Sequence, residues 1–350
     1  MTKNIVLLPG DGIGPEVLNE AVKVLKSVVG ENTFNFEDHL LGGCSIDAHG
    51  TALTDETLKA CQMADAVMLG AVGGPKWDDP AAKIRPEQGL LGLRKGMAVF
   101  ANLRPVKVHL DLADASPLKA EIVRDVDMIV VRELTGGLYF GTPKGRFMED
   151  GKEKGVDTLV YYDYEVERIV RLACKLAEDR KGKVTSVDKA NVLESSRLWR
   201  SVCVNTLADF PNIELEHMLV DAASMRLISN PRHFDVMVTE NMFGDILTDE
   251  ASVLAGSMGM LPSASLGEGK NGLYEPIHGS APDIAGKGIA NPVGMILSTA
   301  MMLRYSLDME KEALMIEAAV EKAIHEGART ADLGGTLSTT QMTERILSAL

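Results

Sequence analysis

The chain has 350 residues, of which 45% are apolar and 25% charged, and a formal net charge of -14. That length admits one large domain or two ordinary ones, and the apolar content excludes a disordered chain. The acidic balance argues against nucleic acid or anionic lipid as the main partner, since both need a basic face. A small anionic substrate stays open, because local arginines override a global charge.

No window approaches 18 uncharged apolar residues, so no membrane span is expected. The start, Met1 to Gly10, is too short and strand-like for a signal peptide. The four cysteines, Cys44, Cys61, Cys174 and Cys203, lie far apart with no C-x-x-C pair. They read as reduced, buried thiols of a cytoplasmic protein, not as a zinc site or disulfide framework.

Asn4 to Leu8 is an apolar run ended by Pro9 and reads as a buried strand. The loop Gly10-Asp11-Gly12-Ile13-Gly14-Pro15 follows. Pro15 opens a helix with apolar Val17, Leu18, Ala21, Val22, Leu25, Val28 and Val29, stopped at Gly30. The loop spells G-x-G-x-G, not the dinucleotide fingerprint G-x-G-x-x-G, so it reads as a tight strand-to-helix turn. Ala66 to Leu69 and Met128 to Val131 are further strands. Between 134 and 165, Tyr139-Phe140-Gly141 and Thr158-Leu159-Val160-Tyr161-Tyr162 are expected as the arms of an antiparallel excursion. Glu165 to Lys181 reads as helix. Lys183 to Val187, Glu214 to Val220 and Phe234 to Thr239 read as strands. Residues 256–292 read as loop, rich in Gly, Pro and Ser, and loops this long are usually functional. Ala313 to Glu326, stopped by Gly327, and Thr340 to Leu350 read as helices. Strands alternating with helices imply an α/β fold.

Three clusters bear chemistry. Arg94, Arg104 and Arg132 each follow apolar residues. A buried arginine needs an anion, and its planar fork suits a carboxylate, so a dicarboxylate site stands beside a reading of structural ion pairs with neighbours such as Glu133. Asp245 and Asp249 stand four apart in a segment that should begin a helix, with both carboxylates on one face. They serve either as acids favoured by the helix N-terminus or as oxygen ligands for Mg²⁺ or Mn²⁺, with Asp221 as a possible third. Lys189, after the strand ending at Val187, and Tyr139 are candidates for proton transfer, against ordinary surface or packing roles.

With these stretches in place, the chain resembles the β-decarboxylating dehydrogenases, which include isocitrate, tartrate and 3-isopropylmalate dehydrogenases. The resemblance runs from about residue 4 to about residue 345. It is carried by Leu8-Pro9-Gly10-Asp11-Gly12-Ile13-Gly14-Pro15-Glu16, the three arginines, Tyr139-Phe140-Gly141, Asp188-Lys189-Ala190-Asn191 and the run from Asn241 to Asp249. Two further stretches add to it: Gly256 to Ala264, and Glu275-Pro276-Ile277-His278-Gly279-Ser280-Ala281-Pro282-Asp283-Ile284-Ala285-Gly286. The stretch from Arg85 to Arg94 resembles the 3-isopropylmalate branch.

The resemblance implies a two-domain α/β fold of the isocitrate/isopropylmalate dehydrogenase kind, not a Rossmann fold. One domain, 1–100 with 252–350, would bind the cofactor. The other, 101–251, would carry the dimer contact, the substrate and metal groups and an exchanged arm at about 134–165. It implies a homodimer with shared active sites, NAD as cofactor and Mg²⁺ or Mn²⁺ held by Asp245, Asp249 and the other subunit's Asp221. The implied reaction oxidises and decarboxylates a 2-hydroxy diacid, 3-isopropylmalate on the route to leucine for this branch. Lys189 and Tyr139 would move protons; Arg94, Arg104, Arg132, Glu87, Asp221, Leu90, Leu91 and Val192 would meet the substrate. Glu275, His278, Gly279, Ser280, Ala281, Pro282, Asp283, Ile284 and Asn291 would line the cofactor. Rival readings are a related enzyme acting on malate, tartrate or homoisocitrate, and a non-catalytic regulatory subunit.

Overall fold

A computed structural model describes residues 2–79 and 82–350. Met1, where the expected strand-like start begins, lies outside them. The chain divides into two compact units: Met1–Val99 with His109–Pro117 and Ala255–Leu350, and Phe100–Val108 with Leu118–Leu254. Residues 109–117, expected in the second domain, therefore belong to the first unit.

In the first unit the strands run in the order Phe34–Asp38, Lys3–Gly10, Ala66–Ala71, Gly272–Pro276, Pro262–Leu266. All neighbours are parallel except the last pair, which is an antiparallel hairpin. The expected first strand and helix are both present, the helix as Gly14–Val29 with Gly30 in a positive-φ conformation after it. Gly14 is obligatory at the junction. A Cβ there would lie 2.2 Å from the Pro9 carbonyl oxygen and 2.7 Å from the Ala71 nitrogen. The strand and the helix it feeds thus touch backbone to backbone.

The region 256–292 corrects the loop reading. Its middle is the hairpin Pro262–Leu266 and Gly272–Pro276, almost wholly buried within the sheet. Serines and a proline hide the strand from pattern reading. Buried Ser263 and Ser265 occupy positions where an apolar alternation would normally show. Helices Gly43–His49, Asp55–Met63, Pro86–Gly96, Val293–Tyr305, Glu310–His325 and Thr339–Ala349 belong to the same unit.

In the second unit the order is Ala101–Lys107, Asp127–Glu133, Val236–Thr239, Lys183–Asp188, Glu214–Leu219. Only the first pair is antiparallel. Val220, expected to end a strand, instead begins the helix Val220–Ser229, whose first turn holds Asp221, a position where the helix dipole favours an acid. The helix expected over Glu165 to Lys181 starts two residues earlier and ends three earlier, spanning Asp163–Glu178.

The antiparallel excursion exists but its arms are elsewhere. They are Gly145–Glu149 and Lys152–Val156, paired around Asp150-Gly151, where both residues have positive φ. An Asp-Gly pair of this kind is a strong two-residue hairpin signal. Nearly every residue of the arms is exposed on both faces, so no alternation of apolar and polar residues marks them. Gly137–Tyr139 is a short 3₁₀ turn, and residues 157–162 carry no strand.

Candidate functional site

The second unit gathers two of the three arginines with both helix aspartates. Arg104 lies on strand Ala101–Lys107 and Arg132 on strand Asp127–Glu133, both buried at the sheet end that faces helix Asn241–Ser252. Arg132 donates from Nη1 to Asp245 Oδ1 at 2.5 Å and from Nη2 to Asn241 Oδ1 at 2.8 Å. Arg104 donates to Thr248 Oγ1 at 2.7 Å and to Asp249 Oδ1 at 3.3 Å. Both readings of these arginines meet here, since the anions they hold are the candidate metal ligands themselves. The side chains of Asp245 and Asp249 are 40% and 61% exposed. Buried guanidiniums thus sit beneath half-open carboxylates, an arrangement that leaves oxygen lone pairs for a hard cation.

Tyr139 closes this cluster. Its hydroxyl donates to Asp245 Oδ2 at 2.9 Å. Burial, then the negative charge of Asp245, push the phenol up to about 12, so it keeps its proton at neutral pH.

Lys189, Asp221 and Val192 form a second group in the same unit. Lys189 Nζ is 2.9 Å from Asp221 Oδ1, and this bond holds the Asp221 carboxyl below the usual carboxylate range. Val192 is 61% exposed beside them. The lysine backbone is fixed where Ser196 accepts its N–H at 3.0 Å. Among the described residues no three His, Cys, Asp or Glu side chains stand close enough to hold a metal. One chain therefore offers Asp245 and Asp249 as a pair of fitting oxygen donors, while Asp221 is spent on Lys189.

The first unit holds the remaining candidates. Helix Pro86–Gly96 carries Glu87, Leu90, Leu91 and Arg94. Arg94 is buried and donates to Glu275 Oε1 at 2.7 Å, tying a candidate substrate group to a candidate cofactor group. Leu90 packs partly on the core formed by Val6, Leu8, Leu69 and Leu93. Leu91 is half-buried and Glu87 exposed. The stretch from His278 to Gly286 folds against the Gly10–Gly14 loop. The Ile13 N–H donates to the Ser280 carbonyl at 2.9 Å, and a Cβ on Gly12 would lie 2.0 Å from that same oxygen. Gly279, Pro282 and Asp283 are exposed, Ala281 and Ile284 half-buried. Residues 282–286 form turns, not a helix, so Asp283 caps no helix. Burial lowers the affinity of His278 for a proton. The Asn291 amide donates to Asp332 Oδ2 at 3.0 Å and accepts from the Val293 N–H.

Several residues in these networks escape sequence reading. Asp11 accepts from the N–H groups of Gly43, Cys44 and Gly73, at 2.7–2.8 Å. Glu16 accepts from Gly286 N at 2.5 Å and Gly288 N at 3.2 Å. Asp332 receives Asn291 and Ser257. Their partners lie tens or hundreds of residues away, and no spacing in the chain announces such pairs.

The sequence profile described as isocitrate/isopropylmalate dehydrogenase matches residues 4–346. A protein of Anaeromyxobacter dehalogenans named 3-isopropylmalate dehydrogenase is 67% identical, with all of both chains covered. The protein of that name from Bacillus subtilis is 58% identical, over all of this chain and 98% of the relative. Among solved structures, an isocitrate dehydrogenase from Methylococcus capsulatus superposes with a TM-score of 0.88 at 34% identity, covering 99% of each chain. A β-decarboxylating dehydrogenase from Thermococcus kodakarensis, in its apo form, gives 0.80 at 37% identity, covering 99% of this chain and 96% of that one. With its fold, its profile match and its relatives in agreement over nearly the whole length, the chain belongs to the isocitrate/isopropylmalate dehydrogenase family.

Proposed function

We propose that this enzyme oxidises and decarboxylates 3-isopropylmalate to 4-methyl-2-oxopentanoate, on the route to leucine, with NAD⁺ and Mg²⁺ or Mn²⁺. The observation that carries the reading is the cluster in which buried Arg104 and Arg132 underlie half-exposed Asp245 and Asp249, with the Tyr139 hydroxyl on Asp245. The names of its relatives supply the substrate.

When bound, the cation supplies Lewis acidity toward the substrate's oxygens and NAD⁺ supplies the hydride acceptor. Asp245 and Asp249 would hold the cation. Arg94, Arg104 and Arg132 bind the two carboxylates, and their fixed charge stabilises negative charge that develops on the substrate. Lys189 takes the proton from the C2 hydroxyl. Tyr139, protonated at working pH, returns one to C3 after the carboxylate has left as CO₂. Leu90, Leu91 and Val192 cover the isopropyl group, with Glu87 at the edge of the pocket. The segment Glu275–Ile284 with Asn291 receives the dinucleotide, Asp283 meeting the adenosine ribose.

Lys189 and Asp221 act on the other subunit's site in this reading. Lys189 pairs with Asp221 while Asp245 pairs with Arg132 and Tyr139, and among the described residues no three metal-ligating side chains converge in one chain, which supports it. So does the exposure of Met225, Ile228, Ile246 and Val253 on the packed helices Val220–Ser229 and Asn241–Ser252 and just beyond, an apolar surface suited to a second copy. Four free cysteines fit a reducing cytoplasm, and no helix among the described residues is long and apolar enough to cross a membrane.

The test is NADH formation from 3-isopropylmalate, D-malate, tartrate and isocitrate side by side, with and without EDTA. The reading expects 3-isopropylmalate to have the highest kcat/KM and EDTA to abolish turnover. Preference for any of the other three acids, or turnover untouched by EDTA, would overturn it.

A further inference from the structure

The Tyr161 hydroxyl stands at the centre of the second unit's site without touching any group given a chemical role above. Its oxygen accepts the Asn241 N–H at 2.9 Å. That N–H belongs to the first turn of helix Asn241–Ser252 and has no acceptor within the helix. The same oxygen lies 3.2 Å from Glu133 Oε2 and 3.5 Å from Glu240 Oε2, to one of which it donates. Both carboxylates are buried and accept backbone N–H groups, and Glu133 is also bonded by the Thr135 hydroxyl at 2.6 Å and paired with Arg168 at 3.6 Å. Glu133 accepts from Thr135 N and Gly136 N at 2.8 Å, and Glu240 caps the helix through Phe243 N at 2.7 Å.

Asn241 extends this anchor in two directions. Its side-chain oxygen accepts Arg132 Nη2 at 2.8 Å, and its carbonyl accepts Arg132 Nε at 2.9 Å. Its amide donates to the Gly136 carbonyl at 3.3 Å, at the start of the turn that ends in Tyr139. The Tyr161 ring also lies directly beneath that turn. A Cβ on Gly136 would sit 2.7 Å from ring carbon Cε1, and one on Gly137 2.7 Å from the hydroxyl. Trp199 packs edge-on against the ring, with centroids 5.6 Å apart, and keeps it in place.

We propose that Tyr161, acting through Asn241, is a positioning residue that sets Arg132, Tyr139 and the helix of Asp245 in one frame. Three pieces from distant parts of the chain meet at one oxygen and one asparagine. A shift of any one is passed to the others, and a displacement of about 1 Å at a reacting group can cost about 100-fold in rate. The inference rests on the roles given above to Arg132 and Tyr139.

The experiment compares Tyr161→Phe with wild type, using the diacid that wild type turns over best, and with Tyr164→Phe as a control lacking an exposed hydroxyl. Tyr161→Phe is expected to lower kcat at least about 10-fold and to raise KM for the diacid several-fold. NADH affinity, followed by fluorescence, should stay within about twofold, because the cofactor segment belongs to the other compact unit; the control should match wild type throughout. Unchanged kcat and KM in a folded Tyr161→Phe enzyme would overturn the proposal. So would a parallel loss of NADH affinity, which marks general loosening. If Tyr161→Phe does not fold, Asn241→Ser decides by the same criteria, and failure of both to fold assigns the pair to the fold and overturns the proposal. Should wild type turn over none of the four acids, the proposed function falls, while the positioning role is still read from 3-isopropylmalate binding by calorimetry: weaker binding in Tyr161→Phe supports it and equal binding overturns it.

Discussion

In the proposed reading one exposed side chain, Asp283, sets cofactor choice. A carboxylate accepts hydrogen bonds from ribose 2′- and 3′-hydroxyls and repels a 2′-phosphate. A helix-capping role would give no such preference, and the turn at 282–286 leaves no helix to cap. The enzyme is expected to prefer NAD⁺ strongly, and Asp283→Lys with Ile284→Tyr to move the ratio of kcat/KM values toward NADP⁺ by at least about 10-fold, or roughly 1.4 kcal/mol. An unchanged ratio in the folded double variant would remove Asp283 from the ribose. The buried thiols carry a different consequence. Burial pushes Cys61 and Cys203 up to about 12 and Cys174 up to about 11. Thiols of the unfolded chain ionise near about 8.5, so as pH rises the unfolded state loses protons first. Stability is whole below that value and falls as pH climbs toward the folded values. Between pH 8 and pH 10 each such thiol should remove about 2 kcal/mol. Urea unfolding under reducing conditions checks this: wild type should lose that much more than Cys203→Ala, and equal losses would contradict it.

At the scale of elements, the contact of helix Asn241–Ser252 with the sheet governs the site. It depends on Gly244. A Cβ there would lie 2.5 Å from both Arg132 Cγ and Thr239 Oγ1. Gly244→Ala would therefore push Arg132 off its bonds or the helix off the sheet. Repacking strain of this kind costs roughly 1–3 kcal/mol. The expected outcome is a diacid KM raised at least about 5-fold with NADH affinity unchanged, since a loss of about 1 kcal/mol in a binding contact gives that factor. A KM equal to wild type would show that the helix has room to spare. Sequence reading placed Asp245 and Asp249 correctly on one helical face, because the 3.6-residue period is local. It could not place Asn241 or Gly244, because what they touch, Arg132 for both and Tyr161 and Gly136 for Asn241, is brought to them only by the folded sheet and its loops.

At the scale of the whole molecule, the different partners of Lys189 and Tyr139 invite a complementation test. Lys189 bonds Asp221, whereas Tyr139 bonds Asp245. If the lysine serves the other subunit's site, Lys189→Ala and Tyr139→Phe should each be nearly inactive alone. Mixed dimers of the two should then recover activity at one of their two sites. Absence of recovery after confirmed subunit exchange would place both groups within one subunit.

The amino-acid sequence by itself determined the α/β class, the first strand–loop–helix unit, the absence of a dinucleotide fingerprint and the family. Each of these is written in local patterns: apolar runs, Pro and Gly at helix ends, and ordered motifs along the chain. The tertiary structure alone decided what those residues touch. The hairpin at 262–276 is buried despite its serines and proline, and the exposed arm at 145–156 is a sheet without an apolar face, so burial broke the usual correspondence between pattern and strand in both directions. The structure also decided that Arg94 meets Glu275 and that Arg132 meets Asp245, contacts made across 181 and 113 residues of chain. The physical reason is the same throughout. Backbone conformation answers to neighbours a few residues away, whereas a buried charge must find whatever partner the folded sheet brings to it.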